Sequence, residues 1–130
     1  MGYPKMFMVE QALPSRHLAD VARATVLELG RLNLKEMVRP GWDIAIAASA
    51  RGIKDQAVII KSLVEELKAA GTRPFIIPAM GSHGGSTPEG QAALLKGYNI
   101  TEEFVGAPIR SSIDADLIGT TERGAPVHAD

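Results

Sequence analysis

Two consecutive strand–loop–helix units, centred on residues 44–70 and 75–96, constrain this chain more than any other feature. In the first, Ile44-Ala45-Ile46-Ala47-Ala48 has no polar alternation, as expected of a strand covered on both faces of a parallel sheet. Ser49 to Lys54 follows as its exit loop, and Asp55 is placed to cap a helix from Gln56 to Ala70. Ile59, Ile60, Leu63, Val64 and Leu67 recur at helical spacing on one face, with Glu65, Glu66 and Lys68 nearer solvent and Gly71 as the stop. In the second unit the apolar run Phe75-Ile76-Ile77 ends at Pro78. A helix then starts either at a Ser86/Glu89 capping box or one residue later at Thr87-Pro88, is anchored by Ala92, Leu94 and Leu95, and ends at Gly97. Consecutive parallel strands need helical crossovers, so the expected fold class is α/β: a three-layer Rossmann-like domain with a mainly parallel sheet.

The flanks are less regular. Met6-Phe7-Met8-Val9 reads as a strand between Pro4 and Pro14, and Ser15 as the cap of a helix from about Arg16 towards Leu32. Leu18, Val21, Ala22, Thr25, Leu29 and Leu32 form its expected buried stripe. A short helical piece is expected around Leu34 to Val38, and another turn at Thr101-Glu102-Glu103 with Phe104 inward. Ala107-Pro108-Ile109 and Leu117-Ile118-Gly119 read as short strands. The last residues, Gly124 to Asp130, stop in what reads as the approach to another strand. The expectation is therefore that residues 1–130 are one domain of a longer two-domain protein.

With 130 residues, 45% hydrophobic and 22% charged, the chain is long enough for one domain with a real core. A net charge of -1 gives no electrostatic reason to expect nucleic acid or an anionic membrane as partner. No apolar run approaches the ~20 residues that span a bilayer. The absence of cysteine excludes disulfides and thiolate metal sites in this chain and suits a cytoplasmic location.

Parallel topology brings the carboxyl ends of both strands to one edge, where Arg51 and His83 would face a common crevice. An imidazole can donate or accept a proton near neutral pH, which makes His83 the leading acid/base candidate; alternatively it hydrogen-bonds the glycine loop and holds the turn. Arg51 carries a fork of donors suited to a carboxylate, or is an ordinary surface arginine. Gly84, Gly85 and the next helix terminus could bind an anion through backbone N–H groups, although Gly81 to Gly85 matches neither the dinucleotide fingerprint nor the phosphate-loop motif. Ser82 and Ser86 lack a nucleophile-elbow setting. His17 is expected on the first helix and His128 near the end, with no zinc-like spacing to His83, and Asp114 with Asp116 reads as a solvent-facing pair.

On SARGI at 49–53, PFIIPAMGSHGGSTPEGQ at 74–91 and GAPI at 106–109, the chain resembles the N-terminal domain of the nickel-dependent lactate racemase family. The resemblance implies a two-domain enzyme acting on a small 2-hydroxy acid with a nickel-pincer nucleotide. It casts His83 as one of two acid/base groups and Arg51 as the carboxylate-binding residue, with Ser82, Gly84 and Gly85 facing the cofactor. The opposing histidine, the cofactor-linked lysine and the nickel-ligating histidine are expected beyond residue 130, so the fragment alone should neither hold the cofactor tightly nor catalyse. In the best-known racemase pattern an acidic residue stands three places before the arginine; here that position is Ala48, and His83 precedes Gly84-Gly85 rather than a polar continuation. The resemblance therefore points to 2-hydroxyacid racemization or epimerization more than to lactate itself. A non-catalytic small-anion or nucleotide-binding module is the alternative.

Overall fold

A computed structural model describes residues 6–13 and 17–129. Both strand–loop–helix units form: β1 (Asp43–Ala48) leads to α3 (Gln56–Ala69), and β2 (Arg73–Pro78) leads to α4 (Pro88–Gly97). Preceding them are α1 (Val21–Arg31) and α2 (Leu34–Met37); following them are α5 (Glu102–Val105), β3 (Asp116–Thr120) and β4 (Pro126–Ala129). β1 and β2 pair in parallel, from Asp43 opposite Arg73 to Ala48 opposite Pro78. The expected Ala107–Ile109 strand is reduced to one parallel bridge, Ile109 to Ile76, made by Ile76 N–H to Pro108 O and Arg110 N–H to Ile76 O, each 2.8 Å. β2 therefore lies between β1 and this third segment. β3 and β4 form a separate antiparallel hairpin with a bulge between Leu117 and Gly119.

The core lies on one face of the parallel sheet, where Ile46, Ala48 and Ile76 join Ile60, Val64 and Leu67 of α3 and Leu95 of α4. Ile100, Val105 and Ala107 close its end, with Phe104 partly buried against it, as expected. Among the described residues no element buries the opposite face of β1. Ala45 and Ala47 are exposed, and their neighbours Phe75 and Ile77 are only half-buried. Alanine suits either setting, so the missing polar alternation in β1 does not by itself decide whether a second layer covers it. The Arg110 guanidinium stacks 4.1 Å from the centroid of Phe75 and shields part of that face.

Local chemistry explains the boundaries. α1 begins at Val21 because Asp20 accepts the Arg23 N–H at 2.9 Å, and Leu18 lies before the helix, 64% exposed. The predicted cap Ser15 falls outside the described residues. No residue of α1 is fully buried, although its stripe faces α3. Met6 to Val9 form no strand and are highly exposed; no strand partner meets them among the described residues. Asp55 sits at the cap position of α3 in the left-handed region (φ 59°), where its side chain makes no capping bond. At α4 the Thr87-Pro88 start prevails over the Ser86/Glu89 box: Thr87 Oγ accepts the Gly90 N–H at 3.1 Å, while Ser86 is left-handed (φ 55°). Gly71, at φ 80°, ends α3 in the left-handed turn that glycine favours.

Candidate functional site at the carboxyl edge of the parallel sheet

The two loops bearing Arg51 and His83 leave adjacent strands at the same level. Ala48 is opposite Pro78, and the ladder continues one step further through Ala79 N–H to Ala48 O at 2.8 Å. The shared edge expected from the sequence is therefore present. Beyond it, each loop is held by a buried glutamine from the helix that follows.

In the first loop Arg51 N–H donates to Ser49 Oγ at 3.1 Å. Gln56, the first residue of α3 and buried, brackets the Ser49 peptide groups: its amide accepts from Ser49 N–H at 2.9 Å and donates to Ser49 O at 3.3 Å. Tyr98, just past α4, donates its hydroxyl to Ala50 O at 2.9 Å. The backbone on either side of Arg51 is thus anchored. Its side chain is exposed, with no hydrogen bond or ion pair to its guanidinium among the described residues.

In the second loop Met80 to His83 form a turn closed by His83 N–H to Met80 O at 3.2 Å. Gly81 at φ 56° and Ser82 at φ -80°, ψ 2° fit a type II′ turn, whose first central position needs positive φ. The His83 ring is exposed, and its Nδ1 lies 2.6 Å from the same Met80 oxygen. A carbonyl only accepts, so Nδ1 carries the proton and Nε2 of the neutral ring keeps its lone pair. The turn-holding contact that the sequence left as one alternative is thus formed by one nitrogen, and the other makes no hydrogen bond among the described residues. Gln91, buried in α4, donates Nε2–H to Gly81 O at 3.0 Å. A cleft of about 370 Å³ opens beside this turn, lined in part by Met80, Gly81, Gln91 and Ile113.

The two loop glycines do different things. A Cβ on Gly84 would lie 2.4 Å from the Gly90 carbonyl carbon and 2.5 Å from Gln91 N, so that space is filled by α4 backbone. Gly85, at φ 69°, has open space where its Cβ would stand. The α4 terminus offers an anion little: Thr87 takes the Gly90 N–H, Pro88 has none, and Glu89 adds a negative charge. Ser82 is exposed in the turn.

His17 precedes α1 rather than riding on it, and His128 lies in β4 opposite Leu117, so neither belongs to this edge. Asp116 is exposed in β3 and Asp114 in the loop before it. Among the described residues no three His, Cys, Asp or Glu side chains converge as metal ligands, and no helix is long and apolar enough to cross a membrane.

A family model of the lactate racemase N-terminal domain matches residues 8–130. The chain belongs to this family. No curated protein and no solved structure gives a significant match. For this lactate racemase N-terminal domain, Gln56, Gln91 and Tyr98 are the site-shaping residues that the sequence reading did not single out. The two glutamines did leave a signal. Gln56 precedes Ile60 by four and Gln91 precedes Leu95 by four, so each is a polar residue on a helix's buried stripe, where it needs a specific partner.

Proposed function

We propose that this domain supplies one side of the active site of a 2-hydroxyacid racemase or epimerase. The observation that carries the reading is the His83 ring, bound through Nδ1–H to Met80 O so that Nε2 is left to take and return a proton. In this reading Nε2 accepts the substrate hydroxyl proton while the Arg51 guanidinium binds the carboxylate in a bidentate contact. Family membership supports a racemase-related role. The resemblance assigns hydride acceptance to a nickel-pincer nucleotide. Among the described residues no three ligating side chains converge, and in this reading the domain's part is proton transfer and carboxylate binding. Of the residues proposed to face the nucleotide, Ser82 and Gly85 have open surroundings, whereas Gly84 is required by the crossing with Gly90.

The same proposal includes a C-terminal domain carrying the opposing acid/base group and the metal ligands. It also includes completion of the Rossmann-like fold by a third layer over Ala45, Ala47, Phe75 and Ile77. The non-catalytic anion-binding alternative is less well supported, because Thr87, Pro88 and Glu89 close the α4 terminus.

The test is a panel of chiral 2-hydroxy acids assayed with full-length, cofactor-loaded protein. His83→Ala should lower turnover of the accepted substrate by about 10²–10⁴-fold, the usual contribution of a general acid–base group. Wild-type turnover by a folded variant removes His83 from the chemistry. Saturable heat with phosphate or nucleotides, without stereochemical exchange of any acid, favours the module instead.

A further inference from the structure

We propose that Gln91 is a positioning residue that selects the proton-bearing nitrogen of His83. The ring's tautomer depends on the Nδ1–H bond to Met80 O, and that bond depends on the Met80–His83 turn keeping its shape. The Met80 side of the turn is firm, since Met80 is buried and Ala79 N–H is bound to β1. His83 itself hangs between flexible neighbours: Gly81 precedes it by two residues, and Gly84 and Gly85 follow, all three at positive φ.

Two tethers from the start of α4 hold this stretch. Thr87 Oγ–H donates to Gly84 O at 3.2 Å on the far side, and Gln91 Nε2–H donates to Gly81 O at 3.0 Å on the near side. The Gln91 bond fixes the central peptide of the turn. A trans peptide sets its C=O and N–H on opposite sides, so this bond also sets the Ser82 N–H and the start of the path to His83. Without the tether, Gly81 has no Cβ to restrict it, and the turn opens towards conformations in which Nδ1 no longer reaches Met80 O. The free ring then loses its preference for the form with a bare Nε2. Gln91 touches neither reacting atom; it acts through the turn.

This inference rests on the acid/base reading only for its consequence, and its test is spectroscopic. In full-length protein with nitrogen-15-labelled histidine, ring-nitrogen shifts at a pH where His83 is neutral should show the Nδ1–H form predominating, the signal being assigned by its loss in His83→Gln. Gln91→Met, which keeps bulk and removes the donor, should lose that pattern to an averaged one. Gln56→Met, a similar lesion beneath the Arg51 loop, should leave it unchanged. No change in Gln91→Met, or the same change in both variants, overturns the proposal. Should Gln91→Met not fold, wild-type protein still decides the matter: the Gln91 side-chain amide must be protected from exchange and His83 must be Nδ1-protonated, and failure of either refutes it. Full turnover by His83→Ala would instead remove the proton role while leaving the tautomer result standing.

Discussion

Gly90→Ala tests the construction of the site loop, because helix propensity and tertiary packing predict opposite signs for it. Gly90 lies within α4, where replacing glycine by alanine ordinarily stabilises by up to about 1 kcal/mol. Here the new Cβ would stand 1.8 Å from Gly84 O, 2.7 Å from Gly84 C and 2.9 Å from Thr87 Oγ. Restoring a C···O contact of about 3.4 Å means moving the two backbones apart by about 1.6 Å. Overpacking of this kind costs about 1–3 kcal/mol, and disturbing the Thr87 cap adds about 1 kcal/mol. After the propensity gain, the net loss is about 1–3 kcal/mol. For a chain of this size that is a fall in Tm of roughly 4–12 °C. Gly97→Ala is the control, at the other end of the same helix with nothing within 4 Å of the added Cβ; it should raise Tm slightly. Gly84→Ala together with Gly90→Ala should cost less than the sum of the two, since both crowd one crossing and a single separation of the backbones accommodates both. Thermal unfolding of the set decides the issue. A Tm for Gly90→Ala at or above wild type would refute the close crossing and with it the structural account of Gly84.

Three other outcomes bear on the same edge. Arg51→Lys keeps charge but loses the planar fork, so kcat/KM for the matched 2-hydroxy acid should fall while Tm stays within a degree or two; an unchanged kcat/KM rejects the carboxylate role. Tyr98→Phe removes the bond to Ala50 O and should destabilise by about 0.5–1.5 kcal/mol in denaturant unfolding; no measurable loss would mean that the Arg51 loop is not held from α4. At the opposite end of the strands, the Arg73 guanidinium hydrogen-bonds the Asp43 carboxyl and holds it below the ordinary carboxylate range. Folding should therefore gain from this pair above the unfolded carboxylate pKa and lose that gain as pH falls through the lowered folded value. Both groups are solvent-exposed, so the effect should be small and weakened by salt. Carbon-13 titration of the Asp43 carboxyl at low and high salt checks it, and an ordinary titration midpoint at low salt would contradict the pairing.

Much of the framework was legible because it depends on local pattern. The Ile59-Ile60, Leu63-Val64, Leu67 periodicity specifies α3, Phe75-Ile76-Ile77 bounded by Pro78 specifies β2, and Gly71 marks a turn that needs positive φ. Thr87-Pro88 and Ser86 with Glu89 were equivalent as local signals. The left-handed turn at Ser86, imposed by the path out of the glycines, left the cap to Thr87. The Met6–Val9 strand and the helical reading of Leu18 fail for a related reason: an apolar run becomes a strand only where another strand offers a ladder, and a stripe becomes a helix only from where its first N–H groups find acceptors.

By itself the sequence determined two parallel strand–helix units, the edge at which their loops emerge, and the family signature carried by Arg51 and the His83-Gly84-Gly85 loop. Each follows from short-range periodicity, backbone restriction or motif spacing. Tertiary structure alone decided which sheet face is covered, that Gly84 is needed because Gly90 crosses it, and that Gln56 and Gln91 anchor the two loops. It also decided which His83 nitrogen holds a proton. These depend on atoms many residues apart meeting within hydrogen-bond or van der Waals distance. Sequence spacing alone cannot reveal such meetings, because the intervening strand, turn and helix together set where each atom arrives.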